Sequence, residues 1–118
     1  MFEIEVSASF NAAHRLREYK GKCERLHGHN WKVQAVVQAE KLSGAGMVLD
    51  FKELKKKLND VLKALDHSYL NELKDFKKQN PTSENIAKLI FEQLSKKVKN
   101  LRYVSVWETE NSCARYTK

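Results

Sequence analysis

The segment from residue 22 to residue 30 reads KCERLHGHN and places a cysteine and two histidines close together. If it enters a β-strand, His27 and His29 leave the same face, because alternate side chains of a strand point the same way. His14, on a neighbouring strand, could add a third imidazole. Three neutral imidazoles suit Zn²⁺ and leave its fourth coordination position open for water or a substrate. Because a His-x-His pair also occurs in ordinary strands, the spacing alone makes the metal site a hypothesis.

Cys23, just before the histidine pair, allows three interpretations. It could be an inert buried thiol, or a fourth zinc ligand that closes a structural site. It could also be a thiolate whose pKa a nearby metal lowers, and which accepts a proton in a reaction. Gly21 and Arg25 on either side favour an accessible loop over the core. The residues alone leave the choice between ligand and base open.

Two further polar features stand near predicted element ends. Asp66 and His67 follow the apolar pattern of a predicted helix, where a histidine can complement the helix dipole. They could instead form a carboxylate–imidazole pair for proton transfer, but only if the chain turns there, since adjacent helical residues do not face each other.

Glu108 has the same strand parity as Val104 and Val106, which predicts a partly buried carboxylate. Such a group needs a partner. A cross-strand salt bridge would serve, and so would the paired N–H donors of a guanidine-like heterocycle.

The elements that must position these groups follow from hydrophobic periodicity. Residues 2–12 and 31–39 alternate between apolar and polar side chains and predict two half-buried strands. Asp50 is a predicted N-cap, and an apolar stripe from Phe51 to Leu65 indicates a helix. Thr82 or Ser83 can cap a second helix after the only proline. Residues 103–107 and 113–117 are typical of two more strands.

This order predicts an α+β domain spanning residues 1–118, with an antiparallel sheet and helices on one face. The other sheet face would be unusually polar, so it must meet water or line a wet lumen.

Composition narrows the class of protein. The formal net charge is +7, and the lysines come in short runs that are typical of solvated helix faces but would attract a phosphorylated substrate. No stretch is apolar enough to cross a membrane and the N-terminus lacks a signal-peptide layout, so we expect a cytoplasmic protein with no membrane partner. A basic module with a structural zinc that binds nucleic acid is a rival class. Few exposed aromatic residues are interleaved with the lysines, which counts against this class, and we expect no nucleic-acid partner.

These motifs together resemble the 6-pyruvoyl-tetrahydropterin synthase and 6-carboxytetrahydropterin synthase family, from about residue 2 to the C-terminus. The motifs that carry the resemblance fall in the family's order: His14, Cys23-Glu-Arg-Leu-His27-Gly-His29, Asp50-Phe51, Leu65-Asp66-His67, Pro81-Thr-Ser-Glu-Asn85 and Glu108-Thr109.

The resemblance implies a tunnelling fold, with a four-stranded antiparallel sheet and two helices per subunit. Three subunits would close a barrel and two trimers would stack into a hexamer with active sites at subunit interfaces. The resemblance also implies the site residues: zinc on His14, His27 and His29, catalysis by Cys23, Asp66 and His67 (the last two from a neighbouring subunit), a pterin anchored by Glu108, and Thr82 and Ser83 near that pterin.

The implied substrate is 7,8-dihydroneopterin triphosphate. Pyruvoyl-forming members eliminate triphosphate, whereas carboxy-forming members also cleave a carbon–carbon bond, release acetaldehyde and feed the 7-deazaguanine pathway towards queuosine. The three-residue gap between Cys23 and His27 and the segment from Pro81 resemble the carboxy-forming branch. We therefore expect a zinc-dependent 6-carboxytetrahydropterin synthase, with the pyruvoyl-forming reaction as the alternative.

Overall fold

In the part of the chain that the structure describes, two long hairpins and one very short strand form a single sheet, which two helices cover on one face. The computed structural model describes residues 1–18 and 25–118. The strands lie side by side in the order β3-β1-β2-β4-β5. In chain order the elements are β1 Phe2–His14, β2 His27–Ala39, α1 Phe51–Leu62, β3 Ser68–Tyr69, two 3₁₀ turns at Leu70–Glu72 and Lys74–Phe76, α2 Ser83–Ser95, β4 Leu101–Thr109 and β5 Ser112–Thr117.

The alternation of the sequence sets which sheet face forms the core. On β1 the buried side chains include Val6 and Phe10, and on β2 they include Trp31 and Val33. Phe10 pairs with Trp31 across the strands and their rings stack at 6.0 Å. The α+β class and the helices on one face are confirmed, and the predicted strand parities hold.

Helix α1 begins as predicted, but its first residue is not part of the core. The Asp50 side chain accepts a hydrogen bond from the N–H of Lys52 at 2.8 Å. Leu54 and Leu58 are fully buried, whereas Phe51 is 59% exposed. Phe51 has the same helical phase as the buried residues of α1. It lies in the first turn, however, where it lines a surface groove with Val6 and several lysines. The apolar stripe of the sequence is therefore buried only from Leu54 onward.

Helix α2 is capped by Thr82, one of the two predicted candidates. The Thr82 hydroxyl accepts a hydrogen bond from the N–H of Asn85 at 3.1 Å, and Ser83 is the first helical residue. Ile86, Ile90 and Leu94 then bury the inner face of the helix. Among the described residues, no helix combines the length and the apolarity that crossing a bilayer requires.

The described residues contain a fifth strand, which corrects the predicted count of four. β3 has only two residues and pairs in parallel with Ala12 and Ala13 of β1. A two-residue strand is too short to show an alternating pattern, so the sequence did not predict it. Fully buried Leu70 directly follows it and holds this return of the chain against the core.

The sheet face away from the helices is polar, as predicted, and several of its side chains contact one another. The guanidinium groups of Arg115 and Arg102 lie over the Tyr103 ring, at 4.0 Å and 5.8 Å from its centroid. Arg115 Nε donates a hydrogen bond at 3.0 Å to the hydroxyl of Ser105, which is fully buried. This face therefore combines aromatic rings with cations that lie over them.

Substitutions in α1 should separate the buried stripe from its exposed first turn. We expect Leu58→Ala to lower the free energy of unfolding by about 2–5 kcal/mol, because it leaves a cavity in the core. Phe51→Ala should change it by no more than about 0.5 kcal/mol, as for most surface sites. Urea denaturation followed by circular dichroism measures both. Equal losses in the two variants would contradict the burial described here.

Candidate metal centre

The three predicted imidazoles meet at one end of the sheet, on its core face. His14 ends β1 and pairs with His27, while His29 pairs with Ala12, so the hairpin register brings the three rings together. Glu108 approaches from β4. The ligand atoms of these four residues lie within 4.8 Å of one another, which makes them a possible metal site.

Backbone carbonyls set the tautomer of two of the rings. His14 Nδ1 lies 2.8 Å from the carbonyl oxygen of Pro81, and His27 Nδ1 lies 2.9 Å from that of Arg25. A carbonyl oxygen can only accept, so in both rings Nδ1 donates the hydrogen bond. The two Nε2 atoms therefore present lone pairs to the site, and they lie 3.0 Å apart.

At this site the Glu108 carboxylate, a hydrogen-bond acceptor, faces the acceptor nitrogens of the imidazoles. Glu108 Oε1 lies 3.2 Å from His14 Nε2 and 3.8 Å from His27 Nε2. It is also 2.9 Å from His29 Nε2, but the angles do not fit a hydrogen bond, and this buried nitrogen has no hydrogen bond among the described residues. Converging lone pairs and a carboxylate are the donor set that a metal cation binds. Neighbouring nitrogens of a tetrahedral zinc site lie about 3.3 Å apart, so the residues present fit such an ion.

Burial keeps His29 in the form that a metal needs. Burial lowers the pKa of His29 first, and the neighbouring imidazoles of His27 and His14 lower it further, while Glu108 opposes them. The net direction is downward, so the ring is neutral at neutral pH. A neutral imidazole can bind a metal without first losing a proton.

Trp31 forms the inner wall of the site. It is fully buried, and its indole meets the rings of His14 and His29 edge-on at 4.8 and 5.2 Å between centroids. Its Nε1 donates a hydrogen bond to the carbonyl of Ala12 at 3.2 Å. The wall orients two imidazoles and excludes water from the core side.

Asp66 and His67 lie at the outer edge of β1, outside the four-residue cluster. His67 has a left-handed backbone (φ 54°), so the chain turns there as the acid/base hypothesis required. His67 Nδ1 lies 2.9 Å from Asp66 Oδ2. The imidazole is 78% exposed and, with Asn11 and His29, lines a shallow depression of about 390 Å³.

The backbone of β1 holds this pair in place. The N–H of Asn11 donates to Asp66 Oδ1 at 2.9 Å, and the N–H of His67 donates to the carbonyl of Asn11. The Asn11 N–H is the main cause that lowers the pKa of Asp66, with the His67 side chain adding to it.

The remaining predicted residues are placed only in part. Cys23 lies outside the described residues. Thr82 and Ser83 start α2 directly after Pro81, whose carbonyl holds His14. Sequence reasoning missed the position of Glu108 beside the histidines, although its parity with Val106 already placed it on the core face. It also missed the carbonyl partners, because a backbone carbonyl has no residue-type signature.

The same fold occurs in a solved structure of 6-pyruvoyl tetrahydropterin synthase from Caenorhabditis elegans. The two chains superpose with a TM-score of 0.88 at 33% identity, over 99% of this chain and 95% of that one. The fold and the histidine–carboxylate cluster thus define an α+β protein of the tunnelling-fold class with a candidate metal site.

A family model described as 6-pyruvoyl tetrahydropterin synthase matches residues 3–118. The chain belongs to the 6-pyruvoyl tetrahydropterin synthase family, which confirms the resemblance seen in the sequence.

Two relatives carry different names within this family. A Synechocystis protein named 6-carboxy-5,6,7,8-tetrahydropterin synthase is 43% identical over 98% of this chain and 93% of its own length. A Pyrococcus furiosus protein named dihydroneopterin monophosphate aldolase is 41% identical over 89% of this chain and 88% of its own length. The family is therefore clear, while its members differ in the reaction that their names describe.

Metal analysis should separate ligands from neighbours in the cluster. After dialysis against Zn²⁺ and then buffer, we expect His27→Ala to retain far less than one equivalent, because only two imidazoles remain. Glu108→Gln should retain about one equivalent if the three histidines form the ligand set. An equal loss in both variants would make Glu108 a ligand.

The lowered pKa of Asp66 predicts a pH-dependent contribution to stability. That contribution is complete above the ordinary carboxyl pKa of about 3.9 and is lost as pH falls through the lowered folded-state value. Asp66→Asn should therefore lower the melting temperature at pH 7, and the difference from wild type should shrink below about pH 4. A difference that stays constant down to pH 2.5 would contradict this assignment.

Proposed function

We propose that the protein is a zinc-dependent lyase that converts 7,8-dihydroneopterin triphosphate and one water to 6-carboxy-5,6,7,8-tetrahydropterin, with release of acetaldehyde and triphosphate. The observation that carries the proposal is the cluster of converging acceptors, His14, His27, His29 and Glu108, in a chain of this family. The relative that bears the carboxy-forming name and the short Cys23–His27 spacing favour this branch.

The three histidines would hold the zinc, each through Nε2. When bound, the ion would act as a Lewis acid on the side-chain oxygens of the substrate and as a template for them. Pro81 and Arg25 keep the Nε2 lone pairs of His14 and His27 aimed at the site. Trp31 closes the core side, so a substrate has to enter from the opposite direction.

Glu108 is suited to anchor the pterin. A carboxylate accepts two N–H donors side by side, which matches the guanidine-like edge of a pterin ring. Its side chain is 36% exposed, so a ligand can reach it, and its Oε1 lies beside the imidazoles. An anchored ring would thus place its side chain at the metal.

Proton transfer is assigned to Cys23, His67 and Asp66. In His67 the contact of Nδ1 with Asp66 leaves Nε2 as the atom that can exchange a proton with a substrate. The carboxylate of Asp66 orients the ring. Cys23 would act as a thiolate beside the metal rather than as its ligand.

A trimeric barrel, stacked into a hexamer, would complete the site. Among the described residues, Phe2–Asn11 of β1 pair with a strand on one side only, as does β5. These open edges can add strands of other subunits, and the polar sheet face would then line the lumen. The exposed His67 would in that arrangement serve the site of a neighbouring subunit.

Two other reactions compete for the same site. A pyruvoyl-forming synthase would eliminate triphosphate and keep the substrate side chain. The Pyrococcus furiosus relative suggests a monophosphate substrate in place of the triphosphate. All three reactions use a pterin, so the choice rests on which phosphorylated substrate is consumed and which products form.

Product analysis tests the proposal directly. With Zn²⁺-loaded protein and the triphosphate, we expect acetaldehyde and the 6-carboxy product in equal amounts. Cys23→Ala and His67→Ala should each lower turnover by about 100-fold or more, since general acid–base groups typically contribute 10²–10⁴-fold. Both variants should keep one equivalent of zinc.

Other results would decide between the alternatives. A pyruvoyl product without acetaldehyde would replace this reaction by the pyruvoyl-forming one. Turnover of the monophosphate alone would favour the aldolase reaction. Loss of zinc from Cys23→Ala would make that residue a ligand.

A further inference from the structure

Side chains continue the hydrogen bonding of β1 past its last residue. On the edge away from β2, Asn11 bonds to the Asp66–His67 pair and Ala13 pairs with β3. Two residues further on, the side chain of Asn71 takes over: its Oδ1 accepts from the N–H of Arg15, and its Nδ2 donates to the carbonyl of Arg15, both at 2.9 Å. One amide side chain thus replaces a strand partner.

The side chain of Asn80 bonds in the same way to the backbone of Arg17, two residues further along the chain. Its Oδ1 accepts from the Arg17 N–H at 2.8 Å, and its Nδ2 donates to the Arg17 carbonyl at 3.0 Å. The Arg17 guanidinium returns to the turn before Asn80 and donates to the carbonyls of Phe76, Lys77 and Gln79. Backbone and side chains of the two segments therefore hold each other reciprocally; we name this set of contacts the Arg17–Asn80 clamp.

The clamp stands directly before the group that orients a metal ligand. Asn85 Nδ2 donates to the Asn80 carbonyl at 2.8 Å, and Thr82 caps α2. Pro81 lies between these two anchored positions. Its carbonyl accepts from Nδ1 of His14, which is only 2% exposed. A shift of the clamp would move this carbonyl, while His14 would stay held by β1.

We propose that Asn80 and Arg17 are positioning residues for the metal centre, and that they act through the Pro81 carbonyl on the tautomer and orientation of His14. Neither residue offers a ligand atom to the cluster. The inference rests on the proposed function only in that the cluster binds a metal. Partners of this outer kind typically contribute 10–100-fold to metal affinity.

Cobalt binding provides the test, because Co²⁺ reports its ligands through visible absorption. We expect Asn80→Ala to weaken Co²⁺ binding by about 10–100-fold and to change the absorption of the bound ion. Arg17→Lys keeps the charge but loses the forked donor, and should act in the same direction. It also provides a second variant if Asn80→Ala does not fold.

A core substitution away from the cluster separates positioning from general destabilisation. Val98→Ala removes buried methyl groups beyond the far end of α2 and should leave Co²⁺ affinity and spectrum unchanged. Wild-type binding and spectrum in both Asn80→Ala and Arg17→Lys, with binding lost in His14→Ala, would overturn the inference.

Turnover distinguishes this inference from the proposed function. If Co²⁺ binding changes as expected but no pterin product forms with wild-type protein, the positioning role stands and the proposed function fails. If wild-type protein does not bind Co²⁺ at all, both fail.

Discussion

The antiparallel register of β1 and β2 is the constraint on which the rest of the site depends. It sets His14 opposite His27 and Ala12 opposite His29, while two residues further along each strand it stacks Phe10 on Trp31. A slip of one residue would send the two histidines of β2 to the opposite sheet face. The stacked aromatic pair buries enough apolar surface to oppose such a slip. The same strand register therefore sets both the core packing and the relative positions of the histidines in this hairpin.

Much of the fold could be predicted because its signals are periodic and local. The alternation in β1 and β2 and the cap residues Asp50 and Thr82 each encode an element within a few residues. Phe51 shows the limit of periodicity: a helical phase tells which way a side chain points, not whether anything lies there to cover it. β3 shows another limit, since its two residues are held in place by contacts outside the strand: hydrogen bonds between Asn11 and the Asp66–His67 pair before it, and the burial of Leu70 after it.

The site could be predicted only as far as residue types carry its chemistry. The spacing of His27 and His29 indicates that both side chains leave the same face of a strand. The carbonyl oxygens of Pro81 and Arg25 do not, because every residue has one and only the fold selects which of them faces an imidazole. The hydrogen bonds that Asn71 and Asn80 make to the backbone of Arg15 and Arg17 could not be predicted for the same reason. Asparagine is common in loops, and these bonds join residues more than 50 positions apart in the chain.

The converging acceptors of the cluster also link folding to the composition of the solution. An ion that binds the native cluster and not the unfolded chain stabilises the fold by RT ln(1 + [L]/Kd), roughly 2.7 kcal/mol when its free concentration is 100 times Kd. Because His14, His27 and Glu108 lie on three different strands, the ion joins the sheet across its width. The thermal midpoint of this chain then becomes a measure of free metal, and a chelator becomes a mild denaturant.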